Sequence, residues 1–200
     1  HGRDRRQRQM CIRDSPSSEN HYILDAFREN KQILKNPECT VHDIGDGVMC
    51  IEFQTKGNSI GEGVAKGINE AIDIAERDGW NGIVIGNNDK QFSVGANLMN
   101  MGMMAMQKNF DAIEEFLVDF QKILMRMRTC NVPVVSATHG FVMGGGLEVS
   151  IHCDAGIHAS ESYIGLVEAG VGLIPGGGGT KEMAMRASDS FNSCLLYTSD

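Results

Sequence analysis

Two glycine-bearing segments hold the residue types from which an oxygen-binding site is made. In FSVGANL (92–98) an apolar strand has just ended, and Gly95 lets the chain turn so that the Ala96 N–H points outward. In ATHGFVMGGGLE (137–148) Gly140 permits a turn and Gly144–Gly146 lead into a helix whose first N–H groups have no internal acceptor. Two such donors brought together would hold an oxygen that gains negative charge, at about 3–4 kcal/mol per donor at a reacting carbonyl. Read alone, the same glycines serve equally well to permit tight turns and close helix packing, and both readings stay open.

Other segments offer less. Gly176–Gly179 followed by Thr180-Lys181 looks like a phosphate loop, but that loop needs its Lys before the hydroxyl residue, so tight packing is expected instead. His152, Cys153 and His158 have no metal-ligand spacing, so burial on a helix or strand is expected and no metal site. Ser136 and His139 lack the G-x-S-x-G elbow of a serine hydrolase. The methionine run LMNMGMMAM (98–106) suits an acyl-chain pocket and a loose core equally, because thioethers fill irregular apolar space.

The elements that must position these segments alternate strand and helix. Residues 20–35 (NHYILDAFRENKQILK) space apolar side chains at helical intervals and stop before Asn36-Pro37, which predicts a docking or linker helix. VMCIEF (48–53), entered from Gly45-Asp46-Gly47, suits a strand. Ile60, Val64, Ile68, Ile72 and Ala75 share the face of a helix that Gly79 ends, and Phe110 to Met127 form a longer amphipathic helix. GIVI (82–85) and VPVVSA (132–137) read as buried strands, whose unbroken apolar runs fit a parallel sheet covered on both faces. A short helix from Leu147, a strand near 155–159 and a helix from Thr180 complete an α/β pattern.

Composition narrows the classes. With 42% hydrophobic and 22% charged residues the 200-residue chain is globular. It carries −8 overall although its first fifteen residues hold five Arg, so the body is too acidic for a general nucleic-acid surface. Six Cys without a CxxC pair, two of them (Cys50 and Cys153) inside apolar runs, predict buried reduced thiols and an intracellular, cytoplasmic protein. No apolar run is long enough for a membrane span. Residues 1–15 and 194–200 read as non-native, adapter-derived tails, 16–45 as a linker with the docking helix, and 46–193 as a partial domain.

IVIGNNDKQFSVGANL together with VPVVSATHGFVMGGGLEVSIHCDAGIHASESYIGLVEAGVGLIPGGGGT resembles the enoyl-CoA hydratase (crotonase) family over most of residues 46–187. The resemblance implies a crotonase-like spiral of ββα repeats, here truncated before its C-terminal helices. It places the oxyanion hole for a thioester carbonyl on the N–H groups of Ala96 and Gly145, and the catalytic carboxylates on Glu148 and Glu168. Having both favours hydration of a trans-2-enoyl-CoA, because many relatives of other activity lack one. Further substrate or CoA contacts are implied at Lys56, Asn58, Gly95, Asn97, Leu98 and Gly144. The chain is most similar to the hydratase part of bacterial fatty-acid-oxidation proteins fused to 3-hydroxyacyl-CoA dehydrogenase, with Asn97 where most members have Asp. Coenzyme A would enter as the substrate's thioester and not as a cofactor, NAD only with the missing dehydrogenase, and the partners would be that domain or further copies of the chain. An isomerase of the same family and a non-catalytic remnant or assembly element are the alternatives.

Overall fold

The computed structural model describes residues 24, 27 and 31–196, with side chains to residue 190. Its main sheet has six strands: β1 (Gln32–Lys35), β2 (Cys39–Gly45), β3 (Val48–Phe53), β4 (Gly82–Ile85), β5 (Val134–Thr138) and β7 (Ala155–His158), neighbours in that order. β1, β2 and β3 pair antiparallel, whereas β3, β4, β5 and β7 run parallel. The change of direction follows from the connections. A two-residue turn, Asp46-Gly47, joins β2 to β3 with φ of 53° and 72°, the conformation that hairpin turns of this length need. Each later parallel pair is joined by a helical crossover.

The crossover after β3 is α1 (Glu62–Asp78), which buries Val64, Ile68, Ala71, Ile72 and Ala75 against Val41, Met49, Ile51, Ile83 and Ile85 of the sheet. Gly79 ends it in the left-handed region at φ 73°, its N–H donating to the Ala75 carbonyl. Gly67 lets α1 lie close to β2, since a Cβ there would stand 2.6 Å from Cys39 Sγ. α2 (Leu98–Met106) and α3 (Phe110–Thr129) precede β5, and α4 (Gly145–Ile151) precedes β7. β6 (Phe141–Met143) and β8 (Tyr163–Gly165) form a second, two-stranded parallel sheet, and α5 spans Gly179–Leu196. This is the expected α/β architecture.

Several expectations are corrected. Gln32–Lys35, expected as the end of a helix, is a strand edging β2; of the rest of that helix only residues 24, 27 and 31 are described, and both expected tails lie outside the described residues except for residues 194–196. β2, β6 and β8 were not foreseen. β5 begins at Val134 and not at Val132, because Pro133 has no N–H for the ladder, although its carbonyl still accepts from Ile83 N at 2.9 Å. Cys39, Cys50 and Cys153 are buried free thiols, pushed up to about 12 by burial. No helix among the described residues is long and apolar enough to cross a membrane.

Candidate active site

The two glycine segments meet. Ile60 N donates to Gly95 O at 2.8 Å and Asn97 N to Ile60 O at 3.1 Å, so the bridge engages the residues on either side of Ala96 and leaves the Ala96 N–H out of the ladder. Gly95 stands at φ 91°, and a Cβ on it would lie 2.7 Å from Met143 O and 3.0 Å from Gly145 N; only glycine lets the two loops touch. Gly145 opens α4, so its N–H has no intrahelical acceptor. A Cβ on Gly145 would stand 3.4 Å from Ala96 N, which measures how closely the two bare donors approach. Ser93 braces this corner: its hydroxyl donates to Asn58 O at 2.7 Å and accepts from Gly95 N at 3.1 Å.

Two carboxylates flank the N–H pair. Glu168 opens a 3₁₀ turn (Glu168–Val171), with Oε1 3.1 Å from where a Gly144 Cβ would sit and Oε2 buried without a hydrogen-bond partner among the described residues. Glu148, in the first turn of α4, is buried, and its Oε1 accepts from Gly177 N and Gly179 N, both at 2.8 Å. Burial, and then the negative charge of Glu168, push the Glu148 carboxyl up from its ordinary value, while the Gly179 and Gly177 N–H groups oppose that rise by favouring the ionised form. A raised glutamate beside an oxygen-binding pair of N–H groups has the properties of an acid–base group.

A cleft of about 880 Å³ lies between α1, α2 and α3. Ile60 and Phe120 line it and would touch a Gly145 Cβ at 3.5 and 3.6 Å, so these two side chains stand between the cleft and the N–H pair. Met101, Met104, Ile113 and Phe116 give it apolar walls. The methionine run is thus not core: none of its residues is buried, and Met99 and Met106 are 76% and 87% exposed.

The other candidate residues divide. Asn97 lines the cleft and caps α2, its Oδ1 accepting from Asn100 N at 3.3 Å. Gly144, at φ 52°, lies between Glu168 and the donors, whereas Leu98 is half exposed at the start of α2. Lys56 is exposed and in no ion pair among the described residues. Asn58 is buried and its Nδ2 donates to Gln91 O at 2.9 Å, so the side chain holds a loop together. His158 is a correction, exposed where burial was expected, with Nδ1 2.6 Å from Thr138 Oγ1. Ser136 bonds Ser150 and His139 bonds Asp89 O, so no serine–histidine pair forms. No group of potential metal ligands occurs among the described residues.

Sequence reasoning missed the glycine clamp on Glu148. Gly176–Gly179 was read as packing, and it does pack, since a Cβ on Gly177 would stand 2.6 Å from Glu148 Oε2 and 2.7 Å from Phe120. A glycine run opening a helix announces bare N–H groups; what the sequence withholds is their acceptor, 29 residues upstream.

The fold and this corner define a class first: an α/β protein in which two backbone N–H groups without a ladder or intrahelical acceptor lie beside a pair of carboxylates. A family model described as enoyl-CoA hydratase/isomerase matches residues 43–199, and the chain belongs to that family. It is 39% identical over 177 residues to a probable 3-hydroxyacyl-CoA dehydrogenase of Bacillus subtilis, covering 86% of this chain and 22% of that protein. It is 36% identical over 120 residues to a crotonyl-CoA hydratase of Syntrophomonas wolfei, covering 59% and 44%. Among solved structures, an enoyl-CoA hydratase of Polaromonas superposes with a TM-score of 0.70 at 22% identity, over 74% of this chain and 58% of that one, a likeness of fold alone. An enoyl-CoA hydratase of Thermoplasma volcanium gives 0.67 at 25% identity, over 78% and 63%. The chain therefore spans less than two thirds of the relatives and structures it matches.

Proposed function

We propose that the chain is an enoyl-CoA hydratase module that adds water to a trans-2-enoyl-CoA to give a 3-hydroxyacyl-CoA in fatty-acid β-oxidation. The observation that carries this reading is the closeness of Glu148 and Glu168 to the corner where the Ala96 and Gly145 N–H groups meet. Water attacks Cβ of the enoyl group while Glu148 orients it and takes its proton; Glu168 delivers a proton to Cα; the thioester oxygen, negative in between, rests on the two N–H groups. The two carboxylates share one water, so their roles overlap. The acyl chain lies along Met101, Met104 and Phe116, and Lys56, Gly95, Asn97, Leu98 and Gly144 contact the rest of the thioester. The step exchanges no electrons, so it calls for no NAD, and the CoA thioester enters it as the substrate.

The match to a named dehydrogenase, of which this chain spans 22%, supports a hydratase portion of a fusion protein, with NAD confined to the other portion. Buried reduced thiols support a cytoplasmic location. Ile157, Tyr163 and Ile174, at 67%, 68% and 84% exposure, support burial against a further domain or a second copy. The test is incubation of the protein with crotonyl-CoA and with a 3-enoyl-CoA, read by liquid chromatography, which separates the isobaric 2- and 3-enoyl isomers, coupled to mass spectrometry, which reads the added water. Gain of one water by crotonyl-CoA is expected; double-bond migration without that gain would make the chain an isomerase, and no reaction from the full-length parent would make it a remnant.

A further inference from the structure

Behind Glu148 lies a second buried carboxylate to which that mechanism gives no task. Glu182, in the first turn of α5, is 1% exposed; its Oε1 accepts from Arg128 Nη1 of α3 at 2.6 Å and stands 3.9 Å from His152 Nε2 of α4, while Oε2 has no partner among the described residues. His152 in turn reaches back to the Glu148 backbone, Nδ1 to Glu148 O at 2.7 Å. Glu182 N donates to Gly178 O at 3.0 Å, so this residue closes the first turn of α5, the turn that begins with the two N–H groups on Glu148 Oε1. A second tie from α3, Gln121 Nε2 to Gly176 O at 2.5 Å, holds the other end of the glycine loop.

We propose that Glu182, held by Arg128, is a positioning residue that aims the Gly177 and Gly179 N–H groups at Glu148 and thereby sets the proton affinity of that carboxyl. The proposal rests on the hydratase reading for its meaning in catalysis. The loop carries four successive glycines and has no side chain of its own to fix it, so its direction is set from outside. Glu182 and Arg128 do this from behind Glu148, where Glu182 is 1% exposed.

Charge and position predict opposite signs. The charged and titratable groups around Glu148 and Glu182 are Glu168, Arg128 of α3, His152 of α4 and Lys181 of α5. Glu182→Gln leaves Arg128 unopposed, and through space alone that cation would lower the Glu148 titration midpoint. Loss of aim removes N–H donors from the ionised carboxylate and raises it.

The experiment is a carboxyl 13C titration of the protein labelled at glutamate, with the Glu148 resonance assigned by its loss in Glu148→Gln. Glu182→Gln should move the Glu148 midpoint up by about half a pH unit or more. Glu182→Asp, which keeps the charge and withdraws the carboxyl by one methylene, should move it up by less, and carries the test alone where the Gln variant does not fold. Amide exchange of Gly177 and Gly179 should quicken in both. A midpoint that falls or stays put in a folded variant overturns the proposal. Because the titration needs no turnover, an inactive chain refutes the hydratase reading and leaves this result legible.

Discussion

Gly144–Gly146 and Gly176–Gly179 are two glycine runs that each open a helix, and they do opposite things with the same backbone. The first leaves the Gly145 N–H without an intrahelical acceptor, close to that of Ala96. The second turns its N–H groups inward onto a carboxylate of the same protein. The difference lies in the acceptor: Glu148 Oε1 takes the Gly177 and Gly179 N–H groups at 2.8 Å, and the Gly145 N–H has no acceptor among the described residues. A glycine run is therefore a supply of donors, and its function is decided by whether the fold provides an acceptor or leaves the place to a ligand.

Several substitutions sharpen that contrast. Removing the carboxylates has the largest expected effect: Glu148→Gln and Glu168→Gln should each lower hydration by about 10²–10⁴ with the fold retained. Wild-type rates in either would end the role assignment. Gly145→Pro deletes one outward donor at the first helical position, where proline fits, and should lower kcat by about 10²–10³ while the circular dichroism spectrum stays as it was; an unchanged kcat would put the oxyanion donors elsewhere. At the inward run, Gly177→Ala drives a methyl against Glu148 Oε2 and Leu124, and should cost about 1–3 kcal/mol of stability in denaturant melts as well as activity. A variant as stable as the parent would mean that the loop is free to move.

The pH dependence follows from the same clamp. Glu148 accepts a proton only when ionised, and its carboxyl is raised, so kcat/KM should fall on the acid side at a pH above the ordinary glutamate value. An acid limb at or below that value would contradict the burial of Glu148. The smallest effect is expected at Lys56, an exposed cation with no partner among the described residues: Lys56→Ala should raise KM a few-fold at low ionic strength, because an exposed pair is worth at most about 1 kcal/mol. kcat should hold, and the KM effect should fade as salt is added. A salt-independent fall in kcat would move Lys56 into the catalytic centre.

What could be read in advance was what repeats locally. The period of Ile60 to Ala75 reports α1 and its αL stop at Gly79, and the apolar runs at 82–85 and 134–137 report strands buried in a parallel sheet. Gln32–Lys35 misled because four residues next to a periodic segment continue its pattern by chance, and only pairing with β2, five to ten residues on, makes them a strand. The tie from the Asn58 amide to Gln91 O was not legible, because its partner lies 33 residues away. The donors at Ala96 and Gly145 were legible from glycine placement; the clamp on Glu148 and the Arg128–Glu182 pair were not, since their partners are 29 to 54 residues apart and nothing local marks them.

One ring sets the distance between the two runs. Phe120 of α3 would touch a Cβ on Gly145 at 3.6 Å and one on Gly177 at 2.7 Å, and it lines the cleft as well. A smaller side chain at 120 would widen the cleft and, in the same stroke, loosen the packing between the Gly145 corner and the clamp on Glu148. On the hydratase reading, the room for an acyl group and the proton affinity of Glu148 would then be coupled through one position.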